Sequence, residues 1–344
     1  MTQPTSRSAL LWKLVIPALC VGAGGAAGFL IRGAMLEDEG RRAFTQVRED
    51  GYRLISPLLE CDSDRDVLRN NELRPFKEKV EAFLRERMQP EGVRMVSLYF
   101  RELNDGPWFG LAESERFTPA SMRKVPMMIA VLKQAEREPE LLSRAIAVSL
   151  KQDYTAYQNI KPSQLLEPGR TYTVADLISR MIVMSDNNAY MLVSGLVDQE
   201  ELAKAYGLLS MADPSVPRQD IPFTVHTYGS FFRILYNATY LSKEASDWAL
   251  ELLANAEFRS GIVAGVPKDT VVAHKFGESL DSATGESQLH DCGIVYYPRH
   301  PYLLCVMSKG TRFDLLDDAI AAISRLVYAE VDSQHRREHG GAVK

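Results

Sequence analysis

Ser121 stands three positions ahead of Lys124, in the stretch Thr-Pro-Ala-Ser-Met-Arg-Lys-Val-Pro, where an apolar run from Met127 to Leu132 begins. On a helix, residues i and i+3 share a face, so the hydroxyl and the amine come within reach of each other. A serine alcohol is a poor nucleophile until a base takes its proton. A lysine stripped of water in an apolar pocket can lose its charge and become that base. A position at a helix start adds free N–H groups and the positive end of the macrodipole, which favour an incipient alkoxide. Pro126, so near the first turn, costs the helix at most about one hydrogen bond. Ser-x-x-Lys arises by chance about once in a chain of this size, so its weight depends on its company.

Two further clusters supply that company. Ser185-Asp186-Asn187 ends a strongly apolar helical pattern, where the bland alternative is a polar turn. His274-Lys275-Phe276-Gly277 ends a strand pattern. In this order the three sets resemble the Ser-x-x-Lys, Ser-Asp-Asn and Lys-[Thr/Ser]-Gly of the penicillin-recognising serine hydrolases, or DD-peptidase superfamily, and in particular their class A β-lactamase-related branch. The resemblance spans roughly residues 60 to 331. It implies a cleft between a sheet and a helical subdomain, with Ser121 as nucleophile, Lys124 as its proton acceptor and Ser185 relaying a proton to the leaving nitrogen. Asn187 would hold the substrate amide. Lys275 would supply positive potential to the relay and to a substrate carboxylate. The oxyanion would sit between the N–H groups of Ser121 and of Glu278, the residue after Gly277.

Two departures from the family pattern stand out. Phe276 occupies the place of the family's Thr or Ser, whose hydroxyl binds the substrate carboxylate; His290, on the next strand, either compensates when protonated or is a strand-edge residue facing water. The class A glutamate that aims water at the acyl-enzyme has no counterpart between Ala203 and Thr224, where Asp220 is the carboxylate nearest the expected offset, in a context that also suits a turn. An acyl-enzyme is therefore expected to form but to decay slowly, unless Lys124 also serves deacylation. No Gly-x-Ser-x-Gly, His-Glu-x-x-His or Cys/His metal spacing occurs, and neither metal nor cofactor is expected.

The elements that must position these residues can be read from periodicity. A helical pattern from Asn71 to Met88 gives way to alternation in 93–103 and, after the turn Asn104-Asp105-Gly106, to a hairpin partner. Helical patterns fill 121–136, a stretch beginning at Thr173 as N-cap, 188–206 and 224–256. Strand signals return near 270–276, 292–297 and 302–308, before a closing amphipathic helix. The expectation is an α/β (α+β) architecture: an antiparallel five-stranded sheet built from 90–112 and 268–331, flanked by helices, with an all-helical subdomain over 118–258 inserted.

Outside this domain of 71–331, Leu14 to Ile31 carries no charge and as a helix would cover about 27 Å, close to a bilayer core. Residues 1–32 are expected to be an N-terminal transmembrane helix, the rival being a cleaved signal peptide. Residues 33–70 read as a charged stalk and 332–344 as a polar tail. Cys292 and Cys305 flank a hairpin and either pair as a disulfide or lie buried as small apolar side chains. A net charge of −5 without a basic stripe argues against nucleic acid as a partner.

The expectation from the whole chain is a single-pass cytoplasmic-membrane enzyme with its catalytic domain outside, acting on D-Ala-D-Ala-like peptides of the peptidoglycan or on β-lactams through an acyl-serine. The alternatives are a true β-lactamase and a non-catalytic cell-wall binding protein on the same fold.

Overall fold

The computed structural model describes residues 46–61, 73–89, 91–104, 106–207, 221–281 and 283–340. The expected membrane helix, most of the stalk and Asp220 lie outside these residues. Among the described residues no helix is long and apolar enough to cross a membrane.

A short hairpin of β1 (Gln46–Arg48) and β2 (Leu58–Cys61) precedes helix α1 (Arg74–Arg87). Strands β3 (Val93–Glu102) and β4 (Trp108–Leu111) form the expected hairpin. Helix α2 (Lys124–Ala135) opens the helical region, and a small ribbon of β5 (Ala145–Ala147) and β6 (Thr171–Thr173) leads into α3 (Val174–Val183). There follow α4 (Asn187–Ser194), α5 (Gln199–Gly207), α6 (Val225–Tyr236) and α7 (Lys243–Ala254). Strands β7 (Val272–Leu280), β8 (Ser287–Val295) and β9 (Tyr302–Gly310) and helix α8 (Phe313–Gly340) complete the chain. The five-stranded sheet runs β4-β3-β9-β8-β7 with every pair antiparallel. Strands from both ends of the domain thus meet in one sheet, as the order of patterns predicts.

Strand side chains alternate between faces, and this sheet is covered on both. On β9, Leu303, Cys305 and Met307 join the core beneath the helical region, while Tyr302, Leu304 and Val306 pack with Phe76 of α1 and Ile320 of α8. Helix α2 lies inside the first of these cores, with every residue from Lys124 to Leu132 buried. A helix apolar on all sides belongs in an interior. Each large apolar side chain it buries contributes about 1.5–3 kcal/mol, which offsets the cost of drawing Lys124 out of water.

Thr173 caps α3 as expected, in a capping box with Asp176. The patterns over 188–206 and 224–256 are each two helices: the first breaks at Gly195, and the second breaks after Asn237 and restarts at Ser242, whose hydroxyl caps α7. The stalk expectation fails over 46–61, where Leu54 and Ile55 are core residues and Arg48 donates to the carbonyls of Ser56 and Leu103 and to Asn237 Oδ1. Its charged composition had hidden those two apolar anchors. The closing helix also continues past Val331, through Gly340, in place of a polar tail. Cys292 and Cys305 lie directly opposite on β8 and β9 and form a disulfide.

Candidate active site

Ser121 sits in a 3-10 turn, Ala120–Arg123, that runs into α2 at Lys124. In a 3-10 turn residues i and i+3 nearly eclipse, so this geometry brings hydroxyl and amine together more directly than an α-helix would. Lys124 Nζ lies 3.1 Å from Ser121 Oγ. It also contacts the carbonyl oxygen of Ser185 at 2.5 Å, Ser185 Oγ at 3.1 Å and Asn187 Oδ1 at 2.8 Å. Burial holds the pKa of Lys124 well below the usual lysine range, and the nearby charge of Lys275 lowers it further.

The neutral amine has two N–H donors and one lone pair. The carbonyl oxygen of Ser185 and Asn187 Oδ1 are acceptors and engage the two donors. The lone pair is left for a hydroxyl proton, and the hydroxyls at the right distance are those of Ser121 and Ser185. This is the arrangement a proton carrier between two serines requires.

Ser185 falls between α3 and α4 in the left-handed region, φ 56°, and Ala120 beside the nucleophile has φ 47°. Non-glycine residues held there cost about 1–3 kcal/mol each, and such strain persists where surrounding bonds over-determine it. Asp186 caps α4 through the N–H groups of Asn188 and Ala189, so the middle residue of the second motif is structural. Gln158, to which no sequence pattern points, donates to the carbonyl of Ser185 at 3.0 Å and accepts from the Asn187 N–H at 3.1 Å. Asn188 accepts from the Tyr154 N–H and donates to Asp153. Tyr228 O–H donates to the carbonyl of Met122 and ties the nucleophile turn to α6.

Lys275 reaches into the same cluster from β7, the edge strand. Its Nζ donates to Ser185 Oγ at 2.9 Å and to the carbonyl of Phe276 at 2.8 Å. Burial brings its pKa down to about 7, against the opposing charges of Asp291 and Glu278. Gly277 faces the nucleophile turn: a Cβ there would lie 2.8 Å from Met122 Cγ and 3.1 Å from the Met122 nitrogen. That close approach sets β7 beside Ser121, and Gly277→Val is expected to force the strand away. A displacement of about 1 Å is enough for a roughly 100-fold slower acylation. Stopped-flow acylation against thermal melting checks this, since the damage belongs to the rate and only weakly to the melting temperature.

The carboxylate-binding expectation for His290 is corrected. The side chain is fully buried, its Nε2 pairs with the carbonyl of Thr118, and its Nδ1 accepts from the Ser308 N–H. Burial lowers its pKa to about 4, so the ring is neutral at physiological pH and fastens the segment before Ser121 to β8. The Glu278 carboxylate accepts from the N–H groups of Asn159 and Ile160 at 2.8 Å each. No cluster suited to a metal ion occurs among the described residues.

The sequence matches the beta-lactamase enzyme family over residues 75–331. No curated protein matches it. Among solved structures, that of PBP-A superposes with a TM-score of 0.61 at 20% identity, covering 76% of this chain and 97% of the other. A β-lactamase from Chitinophaga pinensis gives 0.63 at 20% identity, covering 75% and 100%. The extended-spectrum β-lactamase TLA-3 gives 0.64 at 18% identity, covering 75% and 98%. At such identities the superpositions speak for the fold, while the family match spans most of the chain and includes Ser121, Lys124, Ser185, Asn187 and Lys275. The chain therefore belongs to the beta-lactamase enzyme family and is a serine hydrolase of that family.

Proposed function

We propose that Ser121 is the nucleophile of an amide hydrolase that acts on D-Ala-D-Ala-like peptides or β-lactams and deacylates slowly. The observation that carries this reading is Lys124: its N–H groups are engaged by Ser185 and Asn187, and its remaining position faces Ser121 Oγ at 3.1 Å. In acylation the Oγ bonds to the carbonyl carbon as its proton passes to Lys124. When the C–N bond breaks, a proton reaches the leaving nitrogen through Ser185 Oγ, which Lys124 and Lys275 both contact. Asn187 and the N–H groups of Ser121 and Glu278 are assigned to the substrate amide and the oxyanion.

Slow deacylation is supported by the sequence, which has no glutamate between Ala203 and Thr224 to aim water at the acyl-enzyme. A PBP-A variant has been captured as its acyl-enzyme with penicillin G, a precedent within the same fold. The uncharged stretch Leu14 to Ile31 supports an N-terminal membrane anchor, with the domain facing the peptidoglycan outside the cytoplasmic membrane.

The test is incubation of the full chain with a labelled penicillin, followed by intact mass over time. A stoichiometric adduct that persists for many minutes and is absent in Ser121→Ala is expected. A transient adduct with steady product release would make the protein a β-lactamase. No adduct, together with an uncut D-Ala-D-Ala peptide, would leave a non-catalytic binder.

A further inference from the structure

We propose that Phe276 and Glu278 turn the leaving-group side of the cleft against a free carboxylate, so that the preferred substrates are amides whose leaving group is uncharged, such as internal or amidated peptides. The inference rests on the acyl-serine reading above and narrows its substrate class.

A carboxylate bound beside Lys275 needs donors and positive charge, and most of that supply is already committed. Two of the donors of Lys275 go to Ser185 Oγ and to the carbonyl of Phe276. Two carboxylates act on it, Asp291 behind the strand and Glu278 along it. Asp291 is itself held by His274 and the Ile262 N–H, so it is a permanent part of the wall. Phe276 offers a ring in place of a hydroxyl. That ring stacks on Phe258 with centroids 4.2 Å apart, and Lys275 Nζ lies 4.1 Å from its centre. His290 is neutral and spent on Thr118 and Ser308.

Glu278 adds a direct obstacle. Its carboxylate spans from β7 to the loop on the facing side of the cleft, where the N–H groups of Asn159 and Ile160 both donate to it. Two backbone donors beside the cleft are thus occupied by an anion belonging to the protein. A second carboxylate arriving there meets like charge and two N–H groups already engaged, and juxtaposed like charges are a strong means of rejecting a wrong ligand. The bond-making itself is unchanged: Ser121 Oγ joins the carbonyl carbon, the C–N bond breaks, and the leaving nitrogen takes the proton from Ser185. What changes is the group that this nitrogen carries.

The experiment compares N-acyl-D-Ala-D-Ala with the same peptide bearing a C-terminal amide, as kcat/KM for release of D-alanine or D-alaninamide. For the unaltered full chain the amide is expected to win by roughly tenfold or more. Glu278→Gln, which keeps the shape and the backbone N–H, should shift the ratio toward the free acid by about tenfold, mostly through KM. Phe276→Thr should shift it the same way. A ratio of two substrates is insensitive to how much of a variant is folded. Preference for the free acid, or a ratio unmoved in both variants, overturns the inference and leaves the acyl-serine reading intact. If neither peptide nor penicillin acylates Ser121, both fall together.

Discussion

Lys124→Met is expected to slow acylation of Ser121 by roughly 10²–10⁴-fold, the range that a positioned general base contributes. Methionine is close in length, apolar, and suited to a site where Lys124 is buried, so the variant should fold. Indeed, it removes an amine that folding strips of water. The cost is the four contacts of the amine, of which the Ser185 carbonyl keeps its bond from Gln158 and Ser185 Oγ its bond from Lys275. Activity and stability should therefore separate: a melting temperature within a few degrees of the parent, with penicillin labelling reduced from seconds to hours. Lys124→Arg should do no better, because a guanidinium stays charged near pH 7 and cannot take the proton. Equal loss of labelling and of melting temperature in Lys124→Met would mean that the residue holds the fold and does not serve the reaction.

Much of the site can be read from the chain because its parts are local. Ser121 and Lys124 are three residues apart, and Ser185, Asp186 and Asn187 are consecutive, so each set is placed by a single turn of backbone. The sheet was legible for a similar reason: alternation in β3 and the long apolar strands β8 and β9 leave few other ways to bury their faces. What escaped depends on distance. Gln158 lies in an aperiodic loop, and nothing in its neighbours indicates a carbonyl waiting at Ser185. The place of His290 is not legible because β8 is covered on both faces, and period-two reasoning cannot tell a ring beside the cleft from one locked under Thr118. The position of Glu278 after Gly277 points to its backbone N–H alone, while its side chain reaches a loop more than a hundred residues earlier in the chain. Leu54 and Ile55 were lost among the charges of the supposed stalk.

The acylation rate should trace a bell against pH, because the two lysines are needed in opposite states. Lys124 acts when neutral. Its pKa is depressed by burial, and acidification through that depressed value recharges it, so the acid limb falls by about tenfold per pH unit. Lys275 acts when charged, lending positive potential to Ser185, and its pKa is about 7, so the alkaline limb should bend near neutrality. The two amines share Ser185 Oγ and feel each other's charge, hence the two bends belong to the pair. Lys275→Met should abolish the alkaline bend while slowing the plateau, and measurement of acylation between pH 5 and 9 decides it. Stability carries the same signature with its own sign. An unfolded lysine keeps its proton up to its ordinary pKa near 10.4, whereas folded Lys275 gives it up near 7, so between these values the unfolded chain binds more protons and stability rises with pH. Lys275→Met removes that dependence and should raise the melting temperature most at and below pH 7, where the parent buries a charge. An acylation rate flat from pH 5 to 9 would mean that neither amine changes state in the working range, and the division of labour between Lys124 and Lys275 would have to be abandoned.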